Sequence, residues 1–381
     1  GVECSAFAHF RRCHFCAFPS RIIDMRIGVV RRGYSRTGGA EAYLRRFADG
    51  LVSAGHEVVL FTEKWPANEW PHERVAIDSH SPQRFADSLR RRTPGTRCDL
   101  LFSLERLWSC DVYRAGDGVH AAWLELRARH EPLWKPWFRS FNRKHREILA
   151  LEKHLFSPLG ARMVIANSHM VKAEIERYFG YPSGGIHVVH NGVPPFTAPE
   201  GAREQLRKKV RLEDQDYAVL FAGSGWERKG LRFAIQAVNA ADLPRLKLLV
   251  AGRGHHGSQP QSASVRYLGP VGDMASCFAA ADAFILPTLY DAFSNACLEA
   301  LAAGLPVITT AHNGFSEIIE TGVEGEVVKE ADDISALSAA IRNWEDPDRR
   351  ALVRPRLVEL GAQFSVERNV KETLSLIAKA I

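Results

Sequence analysis

Short apolar runs bounded by glycine or polar residues alternate with amphipathic stretches of helical period along most of the chain. Such runs are too continuous for half-exposed strands and suit a parallel sheet covered by helices on both faces, so the pattern predicts an α/β fold. In the first half the strand candidates are Ile27–Val30, Glu57–Phe61, Leu100–Ser103, Val112–Ala115, Met163–Ala166 and Ile186–Val189, with helices over Ala40–Ala54 and Val171–Phe179. A polar, proline-containing stretch from Val193 to Gly201 breaks the pattern. A second series then begins, with strand candidates Ala218–Ala222, Leu246–Ala251, Val265–Leu268, Ala283–Pro287 and Pro306–Thr309. This predicts two α/β domains, over 25–195 and 196–365, and a C-terminal helix over 366–381 that packs back on the first.

A length of 381 residues exceeds what one core usually fills, in agreement with two domains. Apolar residues make up 46% and charged residues 25%, the balance of a globular protein and not of a disordered one. No run approaches the roughly 18 apolar residues that span a bilayer. Seven cysteines lie scattered, without the regular spacing of a disulfide framework, and a cytoplasmic setting is expected. The first 24 residues hold three of these cysteines and no periodic pattern, which predicts an extension outside the fold, with Met25 opening the first strand run. Cys13-x-x-Cys16 has no second ligand pair nearby, so zinc is not predicted there.

The net charge of +6 is modest for this length and does not point to nucleic acid. It is unevenly placed. Leu126–Leu155 carries eight Lys or Arg against three acids, with Trp134, Trp137, Phe138 and Phe141 interleaved. Basic and aromatic residues together suit a membrane interface, where each cation near anionic lipid contributes roughly 1 kcal/mol. A solvated helical hairpin with a few core aromatics fits the same residues.

Three segments carry candidate chemistry. Gly33–Glu41, with Gly38 and Gly39, is a turn after a strand that could face an anion with free N–H groups; an ordinary strand-to-helix turn has the same composition. Gly223–Gly230 runs from a strand through glycines into Arg228 and Lys229, a planar fork and a compact charge suited to a diphosphate. Ala281–Val307 places Asp291 on a loop after a strand and Glu299 on the helix that follows, with Ser294 and Asn295 expected to bind the donor beside them; a carboxylate there can accept two hydrogen bonds from a vicinal diol such as ribose. Asp214-x-Asp216 and Asp346-x-Asp348 resemble metal-binding pairs but stand where acids are ordinarily solvated, and a metal-independent protein is expected. No Ser-His-Asp or Cys-His arrangement stands at a strand end, and His120, His190 and His312 read as structural, His190 shaping a turn.

From Met25 to the end, the ordered pieces Val164–Ser168, Val188–Val193, Arg228–Gly230, Leu268-Gly269 and Ala281–Val307 resemble the retaining glycosyltransferases of family 4, of GT-B fold. The resemblance implies two Rossmann-like domains with the donor in the cleft between them and a nucleotide-sugar substrate in place of a cofactor. It places the diphosphate on Arg228 and Lys229, the ribose hydroxyls on Glu299, the donor sugar or its developing charge on Asp291, and further sugar contact on Asp117. Within the family, Asp111–Asp117 is most similar to the enzymes that add the first outer-core glucose to a heptose of the lipopolysaccharide core. That implies UDP-glucose as donor, a glycolipid acceptor and a peripheral place on the inner membrane. The family's pair of glutamates with seven residues between them reads Asp291 and Glu299 here, and its Gly-Gly pair reads Asn313-Gly314. Two other classes fit the same fold: a binding protein with weakened chemistry, and a nucleotide-sugar epimerase.

Overall fold

The computed structural model describes residues 25–34, 39–92, 95, 97–130, 142–255, 259–260 and 262–380. The 1–24 extension, Gly38 and residues 131–141 of the basic segment lie outside the described residues.

Two parallel sheets form the frame. The first has the order β3-β2-β1-β4-β5-β6-β7. Its strands are β1 (Arg26–Val30), β2 (Glu57–Thr62), β3 (Glu73–Ala76), β4 (Leu100–Ser103), β5 (Cys110–Ala115), β6 (Ala161–Ala166) and β7 (Ile186–Val188). The second has the order β10-β9-β8-β11-β12-β13. These are β8 (Tyr217–Ala222), β9 (Leu246–Ala251), β10 (Val265–Gly269), β11 (Ala283–Leu286), β12 (Val307–Thr310) and β13 (Gly325–Val328). Helices cover both faces, so the central strands are buried along their length, as in β4, β8 and β11. In both sheets the strand order reverses beside the first strand of the series, between β1 and β4 and between β8 and β11. A crevice opens at such reversals, outside the carboxyl ends of the strands.

The central strands fall where the apolar runs predict them. The edge strands β3 and β13 were not predicted. β3 buries only Val75 of its four residues. Edge strands tolerate such polarity because one side carries no partner. Gly325 of β13 sits against its neighbour so closely that a Cβ would lie 2.0 Å from the Val307 carbonyl oxygen.

The helix Val366–Ala380 packs on the first domain. Its Leu374 and Ile377 share a core cluster with Leu44, Phe47 and Leu51 of the helix Gly39–Ser53. The approach is close: a Cβ on Gly50 would meet Val370 Cγ1 at 2.4 Å. The chain therefore crosses between the sheets twice, and the two crossings touch. Val193 N–H donates to the Phe364 carbonyl at 3.0 Å, and Asn369 Nδ2 donates to the His190 carbonyl.

Candidate functional site

A cleft of about 760 Å³ lies where the carboxyl ends of the two sheets face each other. Arg31 follows β1, Leu104 follows β4, Asp117 follows β5, Gly223 and Ser224 follow β8, and Gly252 follows β9. Among the described residues, six basic side chains, Arg31, Arg46, Arg114, Arg228, Lys229 and Arg253, line it against three carboxylates, Asp117, Asp291 and Glu299. Low-dielectric walls concentrate that excess, so the cleft favours an anion. A larger cavity of about 1070 Å³ lies by the amino end of β6, bounded by Phe156, Tyr178, Phe179 and Tyr181, and its lining holds no carboxylate among the described residues. It stands at the wrong end of the sheet for this chemistry.

The floor of the cleft is backbone. Gly225 and Gly230 both have positive φ, 74° and 76°, and bracket the short helix Trp226–Lys229. A Cβ on Gly230 would sit 1.9 Å from the Pro287 carbonyl oxygen, so the turn carrying Arg228 and Lys229 is pressed against the end of β11. Two hydrogen bonds lock this contact: the Arg228 carbonyl accepts from Leu289 N–H at 2.8 Å and from the Thr288 hydroxyl at 2.9 Å. Lys229 Nζ is ion-paired with Asp291, both side chains largely buried. Asp291 is further fixed by its backbone, with its N–H on the His312 carbonyl and its carbonyl accepting from Gly314 N–H, each at 2.9 Å. The structure thus brings together Lys229 and Asp291, 62 residues apart in sequence.

Ser294 caps the helix Asn295–Ala302, its hydroxyl accepting from Cys297 N–H at 3.3 Å. Asn295 Oδ1 accepts from Asn191 Nδ2 at 2.7 Å, and Asn191 Oδ1 in turn accepts from Arg114 at 2.7 Å, a chain that ties β5 to the second domain. Both Ser294 and Asn295 line the cleft with these groups engaged. Glu299 faces Arg46: burial raises the carboxyl above its ordinary range and Arg46 opposes the rise, while burial lowers the Arg46 guanidinium and Glu299 opposes that. Asn313 is fully buried and organises the loop, with its Oδ1 accepting from Ser294 N–H and Phe315 N–H at 3.1 Å each. Gly314 beside it has no room for a side chain, since a Cβ would lie 2.0 Å from the Ala292 carbonyl oxygen.

On the first domain, Arg31 gathers three carboxylates: Glu41 and Glu105 at 3.1 Å and Asp117 at 3.9 Å. Burial works against its charge, but the three acids together raise its pKa above the ordinary value. Asp117 is the exposed member, 56% accessible, and lines the cleft. Gly39 opens the helix Gly39–Ser53, and Gly38 lies outside the described residues. Arg31, Arg46 and Asn313 were not singled out from sequence as site residues; an arginine directly after a buried first strand was the available signal for Arg31.

Tyr290, the neighbour of Asp291, was also missed. It is 1% exposed and inserts into the first domain's core cluster. Its hydroxyl accepts from Val119 N–H at 2.8 Å and donates to Glu174 at 2.6 Å. Gly118 leaves it room, since a Cβ there would meet the hydroxyl at 2.1 Å. The loop after β5 that carries Asp117 and the loop that carries Asp291 are therefore pinned together. Burial pushes the Glu174 carboxyl up to about 7 from its ordinary 4.5, against the Tyr290 hydrogen bond. A carboxyl raised on folding costs nothing below its unfolded pKa and destabilises increasingly as pH rises through the folded one. Glu174→Gln keeps an acceptor for Tyr290. It is expected to match wild-type stability near pH 4.5 and to exceed it by about 1–3 kcal/mol at pH 8, in denaturation measured across that range.

Two family models match the chain: Glycosyltransferase Family 4 over residues 37–195 and Glycosyl transferases group 1 over residues 216–346. A probable transglycosylase of Burkholderia thailandensis is 28% identical over 93% of this chain and 98% of its own. The lipopolysaccharide glucosyltransferase WaaG of Escherichia coli is 23% identical over 81% of this chain and 86% of its own. A crystal structure of WaaG, a glycosyltransferase involved in lipopolysaccharide biosynthesis, superposes with a TM-score of 0.76 at 20% identity, covering 92% of this chain and 99% of that one. Anabaena HepE, solved in complex with UDP and glucose, superposes with a TM-score of 0.69 at 18% identity over 92% of this chain and 99% of its own. Two matched models in chain order, one on each sheet, and two Rossmann-like domains around a cationic cleft agree: the chain belongs to the family 4 (group 1) glycosyltransferases and has their GT-B fold.

Proposed function

We propose that the protein is a retaining hexosyltransferase that moves glucose from UDP-glucose to a lipopolysaccharide core or related glycolipid at the inner face of the cytoplasmic membrane. The observation that carries this reading is the buried Lys229–Asp291 pair in a cleft with three more basic than acidic side chains. An arriving diphosphate competes for Lys229. It takes that cation together with Arg228 and frees the Asp291 carboxylate to face the sugar. Glu299, short of solvent, accepts from the ribose hydroxyls in exchange for the water it lost. Asp117 contacts the sugar from the first domain.

In transfer, the bond between the anomeric carbon and the phosphate oxygen breaks as the acceptor oxygen bonds to that carbon. Arg228 and Lys229 stabilise the charge gathering on the departing diphosphate, and Asp291 the charge on the sugar. The acceptor proton passes to the leaving phosphate on the same face, which retains configuration without a covalent enzyme intermediate. Closure of the two domains excludes water. UDP as the nucleotide and a lipopolysaccharide acceptor find support in the relatives HepE and WaaG. Membrane placement finds support in the described part of the basic segment, where Arg143, Lys144 and Arg146 are exposed. No helix among the described residues is long and apolar enough to cross a membrane.

UDP-glucose is expected to raise the thermal midpoint, by a stabilisation of about 4 kcal/mol at a thousandfold excess over Kd, while GDP-mannose does not. Equal protection by GDP-mannose would refute the choice of nucleotide.

A further inference from the structure

Outside the donor cleft, three metal-ligating side chains from three separate segments converge where the domains meet. His169 is the first residue of the helix His169–Phe179, His190 follows β7, and Glu317 lies in the 3₁₀ turn Gly314–Ile318. One ligand atom from each lies within 4.8 Å of the other two. None of the three lines the cleft.

Two of the three are held in place before any ion arrives. Glu317 accepts from His169 N–H on both oxygens, at 2.9 and 3.0 Å, and from Met170 N–H at 3.3 Å. The His190 ring packs on Phe293 and Phe364, with centroids 5.5 and 5.6 Å away, and its backbone carbonyl is tied to Asn369. His190 Nε2 lies 2.6 Å from Glu317 Oε1. His169 is exposed, so its ring can turn toward the pair and leave one side open to water.

We propose that His169, His190 and Glu317 form a binding site for a zinc-like divalent transition cation that bridges the two domains. Two imidazoles, one carboxylate and a water make a tetrahedral set suited to zinc, and imidazole selects such ions over magnesium or calcium. To ligate through Nε2, His190 must part from Glu317 Oε1, which lies 2.6 Å away, and present that nitrogen unprotonated as the Nδ1–H tautomer. The ion joins His169 and His190 of the first domain to Glu317 of the second. It is a staple on their relative motion and takes no part in the transfer step.

The test is calorimetric titration of the full chain, stripped of metal, with zinc at pH 7.5 and with magnesium as control. Wild type is expected to bind zinc at this site with a Kd of about 1 μM or tighter. His169→Ala, at an exposed side chain, and His190→Gln, which keeps a donor toward Glu317, should each weaken binding about tenfold or more with the thermal midpoint without zinc preserved. A Cys13→Ser, Cys16→Ser double variant should bind as wild type does, which separates this site from the N-terminal cysteines. Absence of zinc binding, or wild-type affinity in either histidine variant, overturns the proposal.

Discussion

Asp291→Asn should lower kcat about a hundredfold and leave the donor KM within a few-fold of wild type. In the free protein the Asp291 carboxylate is engaged by Lys229. Once a diphosphate holds that lysine, the carboxylate faces a sugar whose positive charge peaks in the transition state. Removing an interaction made chiefly there lowers kcat and spares ground-state binding. One preorganised electrostatic partner is worth on the order of 3 kcal/mol, hence the hundredfold. Lys229 freed from its partner binds the diphosphate no worse, which keeps KM from rising. Asp291→Glu, which restores the family's usual residue, is expected to retain measurable activity. Wild-type kcat in Asp291→Asn would reduce the carboxylate to a partner that merely positions Lys229.

Lys229→Ala has a double consequence, on activity and on stability. The leaving diphosphate loses a cation, with a fall in kcat/KM of about 10²–10³. The Asp291 side chain, only 11% exposed, is also left without its counter-charge. Breaking such a pair from one side costs about 3 kcal/mol, most of it from stranding the remaining charge. Adding Asp291→Asn to Lys229→Ala should therefore restore most of the lost stability while restoring no activity. Coupling of this sign in a double-mutant cycle, read by chemical denaturation beside initial rates, separates the two roles. Additive losses of stability would mean that the pair is not formed in solution.

How far the sequence discloses this arrangement depends on whether the physics is local. Strands buried on both faces, such as β4, β8 and β11, are near-continuously apolar, and they stand out as runs. The edge strands β3 and β13 mix polar residues into four-residue segments and disappear into the loops. The same division holds in the site. Arg228 and Lys229 follow β8, and Asp291 and Glu299 follow β11, each pair within its own contiguous segment, so strand ends locate them. Tyr290 gains its role only through Val119 and Glu174, 171 and 116 residues away, and a tyrosine before an acid has no local signature. Arg46 is one of several arginines until the fold sets it opposite Glu299. Asn313 reads as a departure from a glycine pair, yet its buried side chain shapes the Asp291–Ser294 turn. His190 reads as a turn residue, and its partner Glu317 comes from the other domain, 127 residues on.

The most direct measurement is the anomeric configuration of the transferred sugar. Purified protein is incubated with UDP-[¹³C]glucose and a deacylated lipopolysaccharide core lacking its outer-core glucose, and the product is read by NMR. Retention by the cleft formed by Arg228, Lys229 and Asp291 predicts an α-linked glucose and one UDP released per glucose transferred. A β-linked product, an epimerised donor without transfer, or donor left intact in the presence of acceptor would contradict it.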